Sequence, residues 1–231
     1  MPDRTVSEDV SAAIGRSGFG EITTENRHRL EVFAEDVALW SAKMHLIGRG
    51  SIRKNLGLLV LDSLLLLRSA EGSGLIPKMD ARSVQGALKV ADIGSGAGFP
   101  GIVWKIARPD LEVTLFERKE RTHAFLERII TALALPGLSA VSEDAERHAG
   151  HGPFDVVTSK AAGRLTALVP LAERLLVPGG VYLTIKGEKW REELSGVSPG
   201  AMRFLGAAEL AEGRGVAVSF RKTAADDAPA E

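Results

Sequence analysis

The stretch "ADIGSGAGFPG", residues 91–101, decides how this chain is read. It places glycines at 94, 96, 98 and 101 behind an acid at Asp92, between an apolar run and a helix-like run. A turn needs one or two glycines. Glycines at every second position let a main chain approach a ligand where a Cβ would clash. Upstream, "LKVADIG" (88–94) reads as a short buried strand that ends in the glycines. Downstream, "FPGIVWKIARP" (99–109) reads as a helix beginning near Pro100, a residue accepted in a first helical turn.

The same alternation continues outward. "LEVTLFE" (111–117) is a second strand, "RKERTHAFLERIITALAL" (118–135) a long amphipathic helix and "LSAVSED" (138–144) a third strand. "FDVVTSK" (154–160) follows as a strand, "RLTALVPLAERLLVPGG" (164–180) as a helix and its stop, and "VYLTIKG" (181–187) as a strand. Strand and helix alternating at this spacing imply an α/β fold, a mostly parallel sheet wound on both faces. Residues 201–210 and 215–222 read as a closing pair of strands, completing a domain over 87–222, and 223–231 as a disordered tail. Residues 1–86 read as a helical extension packed on that domain. Leu30, Phe33, Ala34, Val37 and Trp40 share one helix face, with Thr23 and Thr24 as caps. Residues 51–70 are apolar over most of their surface, and 69–86 form a turn-rich connector.

Composition sets the class. The chain has 231 residues, 45% hydrophobic and 26% charged, as an ordinary globular protein has. With Cys 0 there is no disulfide, thiolate metal site or catalytic thiol. No run approaches the ~18 apolar residues of a membrane span. The nearest, "LGLLVLDSLLLL" (56–67), carries Asp62 and Ser63. The N-terminus lacks the basic-then-apolar order of a secretory signal. A cytoplasmic monomer without a membrane partner is the expectation. The net charge is −1, yet "KMHLIGRGSIRK" (43–54) holds Lys43, Arg49, Arg53 and Lys54 and no acid. Charge alone leaves a solvated helix end and a phosphate contact equally open.

Spacing separates the cofactors such a loop serves. The dinucleotide fingerprint G-x-G-x-x-G needs its third glycine where Phe99 stands. D-x-G-x-G-x-G is instead similar to the S-adenosylmethionine loop of class I methyltransferases. A pyrophosphate wants a helix N-terminus and no nearby acid, whereas a donor with a cationic amine and a sulfonium gains from one. The cofactor set is then Asp92, Gly94, Ser95, Gly96, Gly98 and Phe99. Glu117, at the end of the second strand, is positioned to accept ribose hydroxyls, a feature shared with nicotinamide enzymes. Asp144, with Ala145, follows the third strand and is positioned to meet an adenine amino group. A pyrimidine C5 methylase would need a cysteine nucleophile, and "TSKAAG" (158–163) stands where an exocyclic amino methylase carries N-P-P-Y.

With Phe-Pro-Gly completing the loop, "DIGSGAGFPGI" (92–102) resembles the RsmG (GidB) family. The resemblance continues through Trp40, "HLI" (45–47), "LDS" (61–63), "FDVVTSKA" (154–161) and "IKG" (185–187). It implies a seven-stranded class I methyltransferase sheet, S-adenosylmethionine as cofactor, and methylation of a guanine N7 in 16S ribosomal RNA, bare or in an assembling small subunit. It puts Lys160 and Lys186 near the base or its phosphate, Lys160 also near the cofactor, and Asp62 and Ser63 along the pocket. Read alone, Asp62 and Ser63 fit equally a hydrogen-bonded helix junction, and Lys186 a surface strand end.

The departures from the family pattern are local. His45 replaces an Asn, Leu58 and Leu59 an Arg-His pair, and Lys160 an Arg, while Glu143 falls near another Arg. Lysine keeps charge but loses the bidentate fork. Arg49, Arg53, Arg118 and Arg164 are candidates to compensate. The competing classes are a methyltransferase for a small molecule or protein, favoured by the missing Arg-His, and a non-catalytic RNA- or ribosome-binding relative. His123 and His148 read as surface histidines.

Overall fold

The computed structural model describes residues 5–20, 22–44, 46–47, 52–79, 86–142, 153–198 and 200–224, with the side chains of 52–54 outside that description. The sheet contains β1 (Lys89–Ile93), β2 (Glu112–Phe116), β3 (Leu138–Val141), β4 (Phe154–Lys160), β5 (Leu176–Lys186), β6 (Met202–Glu209) and β7 (Val216–Lys222). Its order is β3-β2-β1-β4-β5-β7-β6. β1 pairs in parallel with both β2 and β4, so the strand order reverses beside it. A crevice opens at the carboxyl ends of the strands at such a reversal. β7 enters antiparallel between β5 and β6, as a short connection from β6 requires.

The helices between strands are α4 (Gly101–Ala107), α5 (Glu120–Leu133), α6 (Leu165–Leu175) and α7 (Trp190–Ser195). Before the sheet come α1 (Val6–Ser17), α2 (Thr24–Met44) and α3 (Ile52–Gly72). α1 begins at a reciprocal cap, in which the Glu8 N–H donates to Thr5 Oγ1 at 3.2 Å and the Thr5 N–H to Glu8 Oε2 at 2.7 Å. The Asn26 N–H donates to Thr23 Oγ1 at 3.2 Å, which makes Thr23 the cap of α2.

Alternation along the strands builds two apolar layers. Val90, Val113, Val156 and Val181 face a cluster that also holds Phe33 and Val37 of α2, Leu61 and Leu64 of α3, and Trp104 of α4. Ala91, Val157, Tyr182 and Phe220 face α6 and α7 on the other side. The N-terminal helices therefore complete the sheet's first layer. Each fully buried large side chain stabilises the fold by roughly 1.5–3 kcal/mol. Trp104 Nε1 also donates to the Ser63 carbonyl at 2.8 Å, and Arg108 binds Glu71 and Asp110, tying α3 to α4 and its exit.

β5 begins at Leu176, ahead of the strand expected from 181. Leu176 pairs with Phe154, the register breaks, and Val181 resumes opposite Val156. "PGG" (178–180) makes the break. A Cβ on Gly180 would lie 3.0 Å from the Asp155 carbonyl oxygen.

Candidate active site

The glycine loop leaves β1 at the strand reversal. The Gly94 and Ser95 N–H groups both donate to the Phe116 carbonyl, at 2.9 and 3.1 Å, which locks the loop to the end of β2. A Cβ on Gly98 would lie 2.4 Å from Ile102 Cδ1, and one on Gly101 2.5 Å from Leu115 Cδ2. Gly96 is different. Its φ is +54°, and a Cβ there would meet nothing closer than the Gly94 carbonyl oxygen at 3.9 Å. Gly98 and Gly101 thus serve packing, while Gly96 leaves open space beside the loop.

Two carboxylates hold this loop from behind. Asp92 is fully buried, and its Oδ2 accepts the Gly101 N–H at 3.0 Å. Its Oδ1 is buried and without a hydrogen-bond partner among the described residues. Burial pushes its carboxyl up to about 7, against the opposing pull of the Gly101 N–H. Glu117 accepts the Gly96 N–H at 3.1 Å through Oε2 and the Lys119 N–H at 2.9 Å through Oε1. Each oxygen keeps a lone pair for a further donor such as a sugar hydroxyl. Ser95 is buried and donates to the Asp92 carbonyl at 2.8 Å, and Phe99 is buried against Phe33 with ring centroids 5.0 Å apart. Both shape the loop from inside. Asp144 and Ala145 lie outside the described residues, as do His45, Arg49, Glu143, His148 and the side chains of Arg53 and Lys54.

A cavity of about 820 Å³ opens at the ends of β4 and β5, lined by Asp62, Lys160, Lys186, Glu193 and Arg214 among others. Asp62 of α3 is gripped bidentately by Arg214, whose Nε lies 2.7 Å from Oδ1 and Nη2 3.0 Å from Oδ2. Burial draws the Lys160 ammonium down from its ordinary value, while Asp62 and Asp92 work to keep it charged. Immediately after it, Ala161 takes the left-handed φ of +56°, and the Ala162 Cβ would lie 2.9 Å from a Cβ on Gly94. The cavity and the glycine loop therefore touch through the turn after β4.

The family resemblance groups Asp62, Ser63, Lys160 and Lys186, and of these Asp62, Lys160 and Lys186 line one cavity. Their roles differ. Lys186 is buried, donating to the Gly163 carbonyl at 2.6 Å and to Glu193 Oε2 at 2.8 Å, and that same oxygen accepts the Leu165 N–H at 2.8 Å. Lys186 thus fixes the start of α6, which corrects the surface-lysine alternative. The Ser63 hydroxyl donates to the Leu59 carbonyl at 2.7 Å, the helix-junction reading, and Ser63 does not line the cavity. His123 is mostly buried on α5 rather than at the surface, with Nε2 lacking a partner among the described residues. Arg214 is the residue the sequence reading missed. Its only signal is an arginine between glycines, "EGRGV" (212–216), at the joint of two strands.

The family model GidB, described as rRNA small subunit methyltransferase G, matches residues 26–210. The chain belongs to the GidB family. Ribosomal RNA small subunit methyltransferase G of Acidiphilium cryptum is 35% identical over 200 residues, covering 80% of this chain and 85% of that protein. Its counterpart from Halorhodospira halophila is 30% identical over 205 residues, covering 87% and 90%. The match to the Sorangium cellulosum relative, at 39% identity, spans 60% of this chain and 55% of that protein, about half its length. Among solved structures, a mutant of MtNAS in complex with S-adenosylmethionine superposes with TM-score 0.53 at 16% identity, covering 94% of this chain and 77% of that one. TrmN from Thermus thermophilus gives 0.51 at 16%, covering 71% and 48%. The sheet is the class I methyltransferase fold. Leu58 and Leu59, both partly buried, pack against the apolar cluster that the N-terminal helices share with the sheet.

Proposed function

We propose that this protein transfers a methyl group from S-adenosylmethionine to N7 of a guanine in 16S ribosomal RNA. The observation that carries the reading is the junction of two sites. A glycine loop with one open position and two buried carboxylates meets, through the Ala161 turn, a cavity holding Lys160 and the Asp62–Arg214 pair. Family membership over residues 26–210 supports the same substrate. Asp144 and Ala145 belong to the proposed cofactor set through the family resemblance.

The residues fit the cofactor. The open side of Gly96 gives its body an approach, Glu117 has acceptors for the ribose, and the buried Asp92 carboxylate favours cationic groups. S-adenosylmethionine supplies an electrophilic methyl on a sulfonium. The chain's own task is alignment. Guanine N7 carries a free lone pair, so no side chain must remove a proton, and no histidine is among the described residues that line the cavity. Orientation of this kind contributes up to ~7–11 kcal/mol in well-aligned systems. Lys160 holds the acceptor's oxygen or phosphate edge, and Arg214, clamped by Asp62, fixes the opposite wall.

In duplex RNA the major groove is too deep and narrow for side chains to reach N7. The target is then a loop, a bulge or incompletely assembled RNA. The reading goes with a cytoplasmic monomer. The test is labelled S-adenosylmethionine offered with bare 16S ribosomal RNA, with small subunits and without RNA, followed by mapping of the label. N7-methylguanine at one position is expected. Label at another RNA atom would overturn the site of attack, and label in protein or a small molecule would overturn the substrate.

A further inference from the structure

The end of α2 and the start of α5 line one depression, and the side chains there are mostly basic or neutral. Lys43, Lys119 and Arg121, with Met44, Glu120 and Thr122, line a depression of about 440 Å³. Lys43 Nζ and the Arg128 guanidinium carbon each lie 5.3 Å from the centroid of the Trp40 ring, and Arg128 also reaches Asp36 at 3.1 Å. Trp40 therefore holds two long side chains on one surface, which lowers the entropy lost when they bind. Among the described residues the side chains of Lys119 and Arg121 form no ion pair, and Glu120 is the one acid lining the depression. The whole chain carries a net charge of −1, so this concentration of cations is local.

Position gives the patch its meaning. The Lys119 N–H donates to Glu117, whose other oxygen accepts the Gly96 N–H. The basic surface thus starts two residues from the carboxylate that faces the cofactor loop. We infer that this surface, centred on Lys43, Lys119 and Arg121, seats the backbone phosphates of the RNA strand that flanks the target base. The inference rests on the RNA-methylation reading above and adds where the polymer lies. Phosphate contacts of this kind fix register and orientation without reading sequence.

The test uses the full chain. A Lys43→Gln, Lys119→Gln, Arg121→Gln triple variant and the wild type are titrated with a labelled fragment of 16S ribosomal RNA, and separately with assembled small subunits, from 50 to 250 mM KCl. Each lost contact is expected to lower the slope of log K against log salt by about 0.7–0.9, with binding weakened about tenfold or more at 150 mM. Lys119→Gln keeps the main-chain N–H that bonds Glu117, and S-adenosylmethionine affinity of each variant, measured by calorimetry, reports folding. Arg121→Gln alone serves if the triple variant fails to fold, with the slope lower by about 0.7. An unchanged slope with intact wild-type binding overturns the surface and leaves the methyl-transfer reading standing. Loss confined to assembled subunits, with bare RNA bound normally, assigns the surface to a ribosomal protein and overturns it. Wild type that takes up no RNA, while methylating something else, overturns both readings.

Discussion

The two halves of the proposed site are built by opposite means. The cofactor half is local: β1, the glycine loop, the start of α4 and the end of β2 lie within residues 89–119, and backbone hydrogen bonds hold nearly all of it. The acceptor half draws Asp62 from α3, Lys160 from β4, Lys186 from β5 and Arg214 from the β6–β7 joint, and ion pairs hold it. A loop fixed by main-chain bonds tolerates few changes and binds one kind of ligand. A pocket fixed by side chains from distant segments can change its lining while the scaffold stays. Of the positions that depart from the family resemblance, Lys160 lines the cavity, while Leu58 and Leu59 pack against the core.

That contrast can be broken by substitution. Lys160→Ala removes the cation from the acceptor half, and turnover on RNA should fall on the order of 10²-fold while calorimetric cofactor affinity changes far less. Equal loss in both measurements would mean that Lys160 belongs to the cofactor half. Glu117→Gln takes the charge from the carboxylate that anchors Gly96, which costs about 1.5–3 kcal/mol, tenfold or more in cofactor affinity. Unchanged affinity would detach Glu117 from the ligand.

Asp92 sharpens the comparison through pH. Its folded pKa is raised, from 3.8 to about 7, so the native state binds more protons than the unfolded chain between those values. Its contribution is fully present below about pH 4 and is lost as pH rises through about 7. Asp92→Asn should therefore show a flatter decline of stability across that window in denaturant titrations. Parallel curves for variant and wild type would contradict the burial argument. The smallest effect is expected at the other ion pair of the β6–β7 joint, Arg16 with Glu212, whose side chains are 44% and 43% exposed. Arg16→Ala should cost about 0–1 kcal/mol, measured by the same titration.

The same division explains what the sequence made readable. The glycine spacing, the strand run from Val90 to Ile93 and the helical stripe from Leu30 to Trp40 are local patterns, and the structure has each of them. Asp62 and Arg214 are 152 positions apart, and no periodicity links an acid in an apolar helix to an arginine in a tight turn. Lys186 illustrates the same difficulty. A lysine at a strand end reads as exposed until the Glu193 carboxylate and the Gly163 carbonyl enclose it. The early start of β5 was hidden because "LVPGG" carries both helix-stop and turn signals, and only the pairing of Leu176 with Phe154 makes it strand.

The central claim is that the main chain around Gly96, with Asp92 and Glu117 behind it, is shaped for a cationic methyl donor. Isothermal calorimetry on the purified protein tests it most directly. Saturable heat with S-adenosylmethionine and with its demethylated product is expected, and none with a nicotinamide dinucleotide. Silence with both sulfur compounds alongside tight uptake of the dinucleotide would contradict the account.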